Sequence, residues 1–524
     1  MKLSGLAAPG PPQAIRAAWG LPRWLLAAAV ALIGLAWIGR ALFLHYNEVG
    51  IDQMAFALMG QTILHGHLPY SAIFDNKPVG LYYIYAASEW LFGQRYYPLH
   101  VLSVLPPLLT AAILARTARL LSPAPGLVLA AVALYFGLSL ADEGFFPTSE
   151  LIACPAVTLG LHLGVRRALG RIPASRFWLF AGATLGLGAQ ISYLVIPIGG
   201  LVGLVCLVME FRDGARTRAI AAFIGLSALG CGAAFGVVLV PQNLAGTIGG
   251  YFALQIQYHE AYANVTSLRE TLAGFSRMWP IVLPVLFAGL LRLAIARIQP
   301  EAGTGHSLAR ADAVLAAGLV GALVSAGLSH RFYLHYFILL VPSVVLLTLA
   351  IGAARPGRLR ELTWAAALLV GAGVSLLSAH RAITWRLTNP LDVQVSAYIR
   401  AHTAPAQKIF VYDESPALYY LSGRAPVTRI VFPSHYMRKP EADALGLTLP
   451  SYVRNALAAK PSLVIVGQLW LPESAFNIRP ILRAADYHPE AVFKQREIDM
   501  FLRPREIEVY TPSVPAGHTR IAGR

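Results

Sequence analysis

Tyr46 to Gly93 reads YNEVGIDQMAFALMGQTILHGHLPYSAIFDNKPVGLYYIYAASEWLFG, and it directly follows the first long apolar run of the chain. It is the longest polar interruption in the N-terminal half. It carries Asp52, the turn His65-Gly66-His67-Leu68-Pro69-Tyr70, Asp75 and the pair Lys77-Pro78. Acidic and basic groups beside a membrane span are costly unless they line a cavity, which makes them candidates for function. The stretch therefore reads as an active-site loop, and the remainder as its scaffold.

Composition sets the class of that scaffold. Of 524 residues, 56% are hydrophobic and 13% charged, against about 25% charged in an ordinary soluble domain. Mean hydropathy is +0.58. A polytopic α-helical membrane protein with a soluble portion fits these values. The net charge of +16 does not point to nucleic acid, because most Arg residues fall in short gaps between apolar runs, where they set orientation. Cys154, Cys206 and Cys231 all lie inside apolar runs, which argues against disulfides and a zinc site alike.

Outward from the loop, apolar runs fall at 22–44, 97–115, 126–141, 150–165, 177–211, 219–240, 279–296, 313–329, 335–353 and 362–379. The run 177–211 is too long for one helix and has Gly186, Gly188 and Gln190 near its middle, so it reads as two spans. The total is about eleven spans of a length that crosses the hydrocarbon core. Arg116/Arg119, Arg166/Arg167/Arg171/Arg176, Arg212/Arg216/Arg218, Arg292/Arg297/Arg310 and Arg355/Arg358/Arg360 then share one side, as the positive-inside rule requires. This places the N-terminus in the cytoplasm and the segments 45–96, 142–149 and 241–278 outside. It also keeps Gly80–Phe92 from crossing. That segment is expected to lie along the interface, with Tyr82, Tyr83, Tyr85 and Trp90 at headgroup depth. Residues 1–381 form the membrane portion. From 382 to 524 the composition is ordinary, and helices at Val393–His402 and Ser451–Lys460 alternate with strands at Lys408–Tyr412, Ser462–Gly467 and Phe501–Tyr510. That alternation predicts a small extracytoplasmic α/β domain.

The outer loops hold the chemistry. Asp52 opens a predicted helix over 51–64, where it serves either as a capping acid or as a general base for an acceptor hydroxyl; Glu48 is a second candidate for that role. Lys77 offers a fixed cation suited to a lipid phosphate. Tyr70 and Asp75 complete the contacts expected of this loop. Asp142, Glu143 and Glu150 place three carboxylates in the second loop with no basic partner, which suits a polar cavity, although a first-turn acid such as Glu150 also suits helix capping. His259 lies in the aromatic-polar stretch Tyr251–Glu260. Arg331, His335 and Tyr336 bring cationic and hydrogen-bonding groups to the outer ends of two spans.

Together, Asp52, Gly66-His67-Leu68-Pro69-Tyr70, Asn76-Lys77-Pro78, Tyr82-Tyr83 and Leu91-Phe92-Gly93 resemble the polyprenyl-phosphate-dependent C-type (GT-C) glycosyltransferases. The resemblance is to the bacterial branch holding protein O-mannosyltransferases, the lipid A aminoarabinose transferase and the lipid A galacturonosyltransferases. Ser149-Glu150, His335-Tyr336-Phe337 and Ala417–Arg424 extend it over most of the chain. The chain departs from the pattern at Gln53, at Val79 and in Gln190–Tyr193, where relatives carry Glu, Pro and Lys. The resemblance implies inverting transfer of a sugar from a polyprenyl-phosphate carrier to a glycan, lipid A or protein acceptor, outside a bacterial inner membrane. It makes Asp52 the base and Lys77 the phosphate contact, with Asp142, Glu143 or Glu150 orienting donor or acceptor; Glu150 joins Asp52 as a catalytic candidate. The only partners implied are membrane lipid and these substrates, and no cofactor or metal is generally required, although a divalent ion is left open. A transporter or flippase of an envelope precursor is the competing reading. The concentration of ionisable residues in the outer loops, away from mid-span, speaks against it.

Overall fold

The computed structural model describes residues 20–44, 50–93, 96–140, 144–263, 269, 272, 305–328, 332–354, 357–386, 391–468, 476–495 and 505–513. The first part is helical: α1 (Arg23–Leu44), α2 (Ile51–Leu64), α3 (Val79–Phe92), α4 (Tyr96–Leu121), α5 (Pro125–Leu138), α6 (Ser149–Ala168), α7 (Ala174–Ala189), α8 (Val195–Arg212), α9 (Thr217–Val238), α10 (Val240–Leu244), α11 (Ile248–Ala263) and α12 (Gly305–Leu328). A 3-10 helix over Leu334–Leu340 then leads into α13 (Val341–Ala354) and α14 (Gly357–Arg386). Every predicted apolar run within the described residues is helical. Among those residues, six helices are long and apolar enough to cross a membrane: they lie in α1, α4, α8, α9, α12 and α14. The run 279–296 lies outside the described residues.

The expected break in 177–211 falls between Ala189 and Val195, and it has a structural use. The Leu81 amide donates to the Gln190 carbonyl at 3.0 Å, which docks the start of α3 on the break. A Cβ at Gly80 would sit 2.5 Å from that carbonyl oxygen, so only glycine allows the approach. On the same α7, Gly182 and Gly186 meet the backbone of Ser227 and Cys231 on α9, the small-residue contact typical of helices in a membrane. Arg40 of α1 is buried and donates to the Ser103 carbonyl (3.0 Å), the Gly144 carbonyl (3.1 Å) and the Ser139 hydroxyl (2.8 Å). It thereby ties α1 to α4 and to the chain after α5.

Two aromatic residues of α3 differ from expectation. Tyr82 and Tyr85 are fully buried, packed edge-on against Phe56 of α2, and do not sit at a headgroup surface. Their hydroxyls find partners inside: Tyr82 accepts from the Lys77 amide at 3.0 Å, and Tyr85 donates to the Pro147 carbonyl at 2.6 Å. Satisfied phenols bury at little cost. Trp90, by contrast, is 75% exposed.

Glu89, on the same helix, is buried, and burial pushes its carboxyl up to about 8, partly offset by the Tyr420 hydroxyl. The native state therefore holds a proton that the unfolded chain releases near its ordinary 4.5. The stability this gives is complete below that lower value and is lost as pH rises towards about 8. Glu89→Gln is thus expected to raise the thermal midpoint at pH 8 far more than at pH 5. Melting both proteins at the two pH values checks this, and equal shifts would count against it.

The last part contains α15 (Leu391–His402), β1 (Phe410–Tyr412), α16 (Ala417–Ser422), α17 (Pro433–Met437), α18 (Lys439–Ala444), α19 (Leu449–Ala458), β2 (Val464–Val466), α20 (Arg479–Ala484), β3 (Tyr487–Gln495) and β4 (Arg505–Pro512). The strands form one sheet in the order β1-β2-β4-β3. β1 runs parallel to β2 with Val411 opposite Ile465, and the remaining pairs are antiparallel. β3 is not predicted by the sequence reading. The motif Ser422-Gly423-Arg424 is a brace: Gly423 ends α16 in the left-handed region at φ 65°, and Arg424 donates to Thr403 and to the Ser422 carbonyl. This part packs on the first loop, where Phe74 pairs with Ile430 as an isolated bridge and its amide donates to the Arg429 carbonyl at 2.8 Å. The Arg429 side chain returns a bond to the Tyr70 carbonyl at 2.6 Å.

Candidate active site

Three elements converge on Glu150. Thr148 caps α6 by accepting from the Leu151 amide at 3.1 Å, which leaves the Glu150 side chain free of capping duty. Glu150 is buried to 1% exposure, and its Oε1 lies 3.7 Å from Lys77 Nζ. Oε1 also accepts from Ser149 (2.8 Å) and from Ser192 in the α7–α8 break (3.3 Å). Oε2 faces His335 Nε2 at 3.9 Å. A carboxylate with this many donors remains ionised although it is buried.

Lys77 is held from both sides. Its amide donates to Tyr82 Oη, and its carbonyl accepts from Tyr70 Oη. Tyr70 itself sits in the left-handed region, at φ 66°. Nζ lies 5.9 Å from the centre of the Tyr336 ring, within cation–π range. Burial works against the ammonium, but the charges of Glu150 and then Asp52 outweigh it and hold the Lys77 pKa above its ordinary value. Asp52 lies in the first turn of α2, behind the N-cap Gly50. Its charge reaches Tyr85 and Tyr336 as well as Lys77. Asp52, Lys77, Glu150, His335 and Tyr336 thus form one cluster assembled from four stretches of chain.

α11 closes one side of this cluster. Tyr262 Oη lies 3.5 Å from Tyr336 Oη. Tyr251 stacks on Tyr70 with ring centres 5.6 Å apart and meets Tyr193 Oη at 3.0 Å. His259 is edge-on to Tyr193, and its Nδ1 lies 2.8 Å from the Gln255 carbonyl. Because a carbonyl only accepts, Nδ1 carries the proton there. Burial lowers the His259 pKa despite that bond, and the Lys77 charge lowers it further. His259 is therefore neutral at pH 7.

Asp75, two residues before Lys77, points to the other side. Its Oδ1 accepts from the Asn76 amide at 2.8 Å and lies 3.2 Å from His435 Nε2. His435 Nδ1 in turn lies 2.5 Å from Tyr258 Oη. Of the predicted site residues, Glu48, Asp142, Glu143 and Arg331 lie outside the described residues; the others fall on or beside the cluster. Ser149, Ser192, Tyr258, Tyr262 and His435 join them. Ser149 adjoins Glu150, Ser192 lies in Gln190–Tyr193 and Tyr258 in the aromatic-polar stretch Tyr251–Glu260, whereas Tyr262 and His435 carry no signal in the sequence. Among the described residues, no group of three or more His, Cys, Asp or Glu side chains is placed to hold a metal ion.

No family model matches the sequence, and no curated protein matches it. Solved structures do. The chain is similar to ArnT from Cupriavidus metallidurans bound to undecaprenyl phosphate, with a TM-score of 0.51 at 15% identity over 93% of this chain and 98% of that one. The apo state of the same protein gives 0.51 at 14%, over 92% and 97%. A mycobacterial arabinofuranosyltransferase, AftD, gives 0.48 at 15%, over 94% and 42%. The similarity to ArnT is one of fold.

Proposed function

We propose that the protein is an integral-membrane glycosyltransferase that moves a sugar from a polyprenyl-phosphate carrier to an envelope acceptor, with inversion. The observation that carries this reading is the pairing of a clamped ammonium, Lys77, with the buried carboxylate of Glu150, with the charge of Asp52 acting on the same ammonium. An ammonium stabilises the phosphate as it leaves, and a carboxylate takes the proton of the attacking hydroxyl. The ArnT fold supports the reading, since one of its structures holds undecaprenyl phosphate. In this assignment Lys77 contacts the carrier phosphate and Glu150 fixes Lys77. Asp52 is the base, and His335, Tyr336 and His259 line the sugar site. The acceptor O–H bond and the sugar–phosphate bond break as the new glycosidic bond forms, and the carrier departs as polyprenyl phosphate. The segment 382–524 is assigned to the outer side with the first loop, because Phe74 and Asp75 contact it directly.

Mass spectrometry of lipid, polysaccharide and glycoprotein fractions from cells lacking the protein tests the reading. A glycan lighter by one sugar is expected in the null strain, restored by the native chain. An unchanged envelope would sink the transferase and favour a transporter.

A further inference from the structure

Three fully or nearly fully buried residues from distant parts of the chain make one hydrogen-bonded line. Tyr258 (0% exposed) stands on α11, His435 (2%) on α17, and Asp75 (4%) in the first loop. The distances are 2.5 Å from Tyr258 Oη to His435 Nδ1 and 3.2 Å from His435 Nε2 to Asp75 Oδ1. With the ring proton on Nε2, that nitrogen donates to Asp75 and Nδ1 accepts from the Tyr258 hydroxyl. The Tyr258 hydroxyl and both ring nitrogens of His435 are engaged in the line. The Phe74 ring seals the line, edge-on to both Tyr258 and His435 at 5.3 and 5.4 Å.

This line ends two residues from Lys77. We infer that Tyr258, His435 and Asp75 act as one positioning unit, through which the C-terminal part of the chain holds the turn that aims Lys77. His435 touches no reacting atom in this account. It sets where Nζ stands, through the turn that Asp75 shares with Lys77. The inference rests on the transferase reading for its catalytic consequence but not for its structural one. Groups joined in a buried network act as a unit, and their removal is non-additive.

The test uses full-length protein in detergent and two readouts. The first is the rate at which a small amine-acylating reagent modifies Lys77, by peptide mass spectrometry, with exposed Lys439 and Lys494 as internal references. The second is turnover with a polyprenyl-phosphate sugar. Tyr258→Phe removes one hydroxyl, and His435→Leu removes both ring contacts. His435→Gln keeps a donor for Asp75. Lys77 labelling is expected to rise roughly tenfold in His435→Leu, the equivalent of about 1.4 kcal/mol of lost anchoring. Tyr258→Phe should show a smaller rise and His435→Gln a partial rescue, with both reference lysines unchanged. kcat should fall by about 10²-fold, as for a displacement of about 1 Å, with KM moving far less. The double variant Tyr258→Phe/His435→Leu should be no worse than His435→Leu alone. Unchanged Lys77 labelling in Tyr258→Phe and His435→Leu, or effects that multiply, would overturn the unit. Absence of turnover in the native protein would overturn the transferase reading, while the labelling would still decide the unit.

Discussion

Lys77→Met is expected to lower turnover by about 10³-fold, the scale of losing a group that stabilises developing charge in a site with little water. The change removes the cation nearest Glu150, whose carboxylate is 1% exposed. A buried carboxylate that loses its partner costs about 3–5 kcal/mol when it stays ionised, so the variant should also melt earlier. The two effects separate in a second protein. Lys77→Met/Glu150→Gln removes the orphaned charge and should regain most of the thermal midpoint while turnover stays low. Lys77→Arg keeps the charge but alters the geometry of a point cation held above Tyr336, and should fall between native and Met. If the double variant recovers turnover along with stability, Lys77 supports the fold and nothing more.

Asp52→Asn is the second large effect, with kcat lower by about 10²- to 10⁴-fold, the range of a lost general base. The fold should survive, because Gly50, not Asp52, is the N-cap of α2. A first-turn acid contributes only about 0.3–1 kcal/mol through the helix dipole. Measured together, kcat and the thermal midpoint decide the role. A large loss of kcat at an almost unchanged midpoint marks a base. A native kcat with a small drop in midpoint marks an acid that only suits the helix end.

Much of this molecule is legible in the sequence, and the exceptions share a cause. Apolar length and Arg placement predict the helices, and the glycines and Gln190 predict the break that docks α3. Lys77 and Glu150 stand out because charged residues beside apolar runs are rare. Tyr82 and Tyr85 mislead, since an aromatic row at helical spacing suits a headgroup belt and a packed core equally. Their hydroxyl partners, at Lys77 and Pro147, decide the matter. β3 is hidden by Pro489 and its charged residues; the ladder with β4 accommodates the proline through a register shift between Pro489 and Ala491. His435 gives no signal. Its partners lie 177 and 360 residues away, and no local periodicity encodes such a contact.

The 360-residue separation between Asp75 and His435 also has a meaning in time. A ribosome adding about 5–20 residues each second needs roughly 20–70 s to pass from one to the other. For that interval the nascent first loop has Glu150 within reach, 73 residues on from Lys77, but neither His435 nor the Arg429 side chain that holds Tyr70. The turn that carries Lys77 is therefore among the first pieces synthesised and among the last to be locked. A chain that stalls before residue 435 emerges with its helices in place and its site unfinished, so that competence arrives as one of the final events of biogenesis.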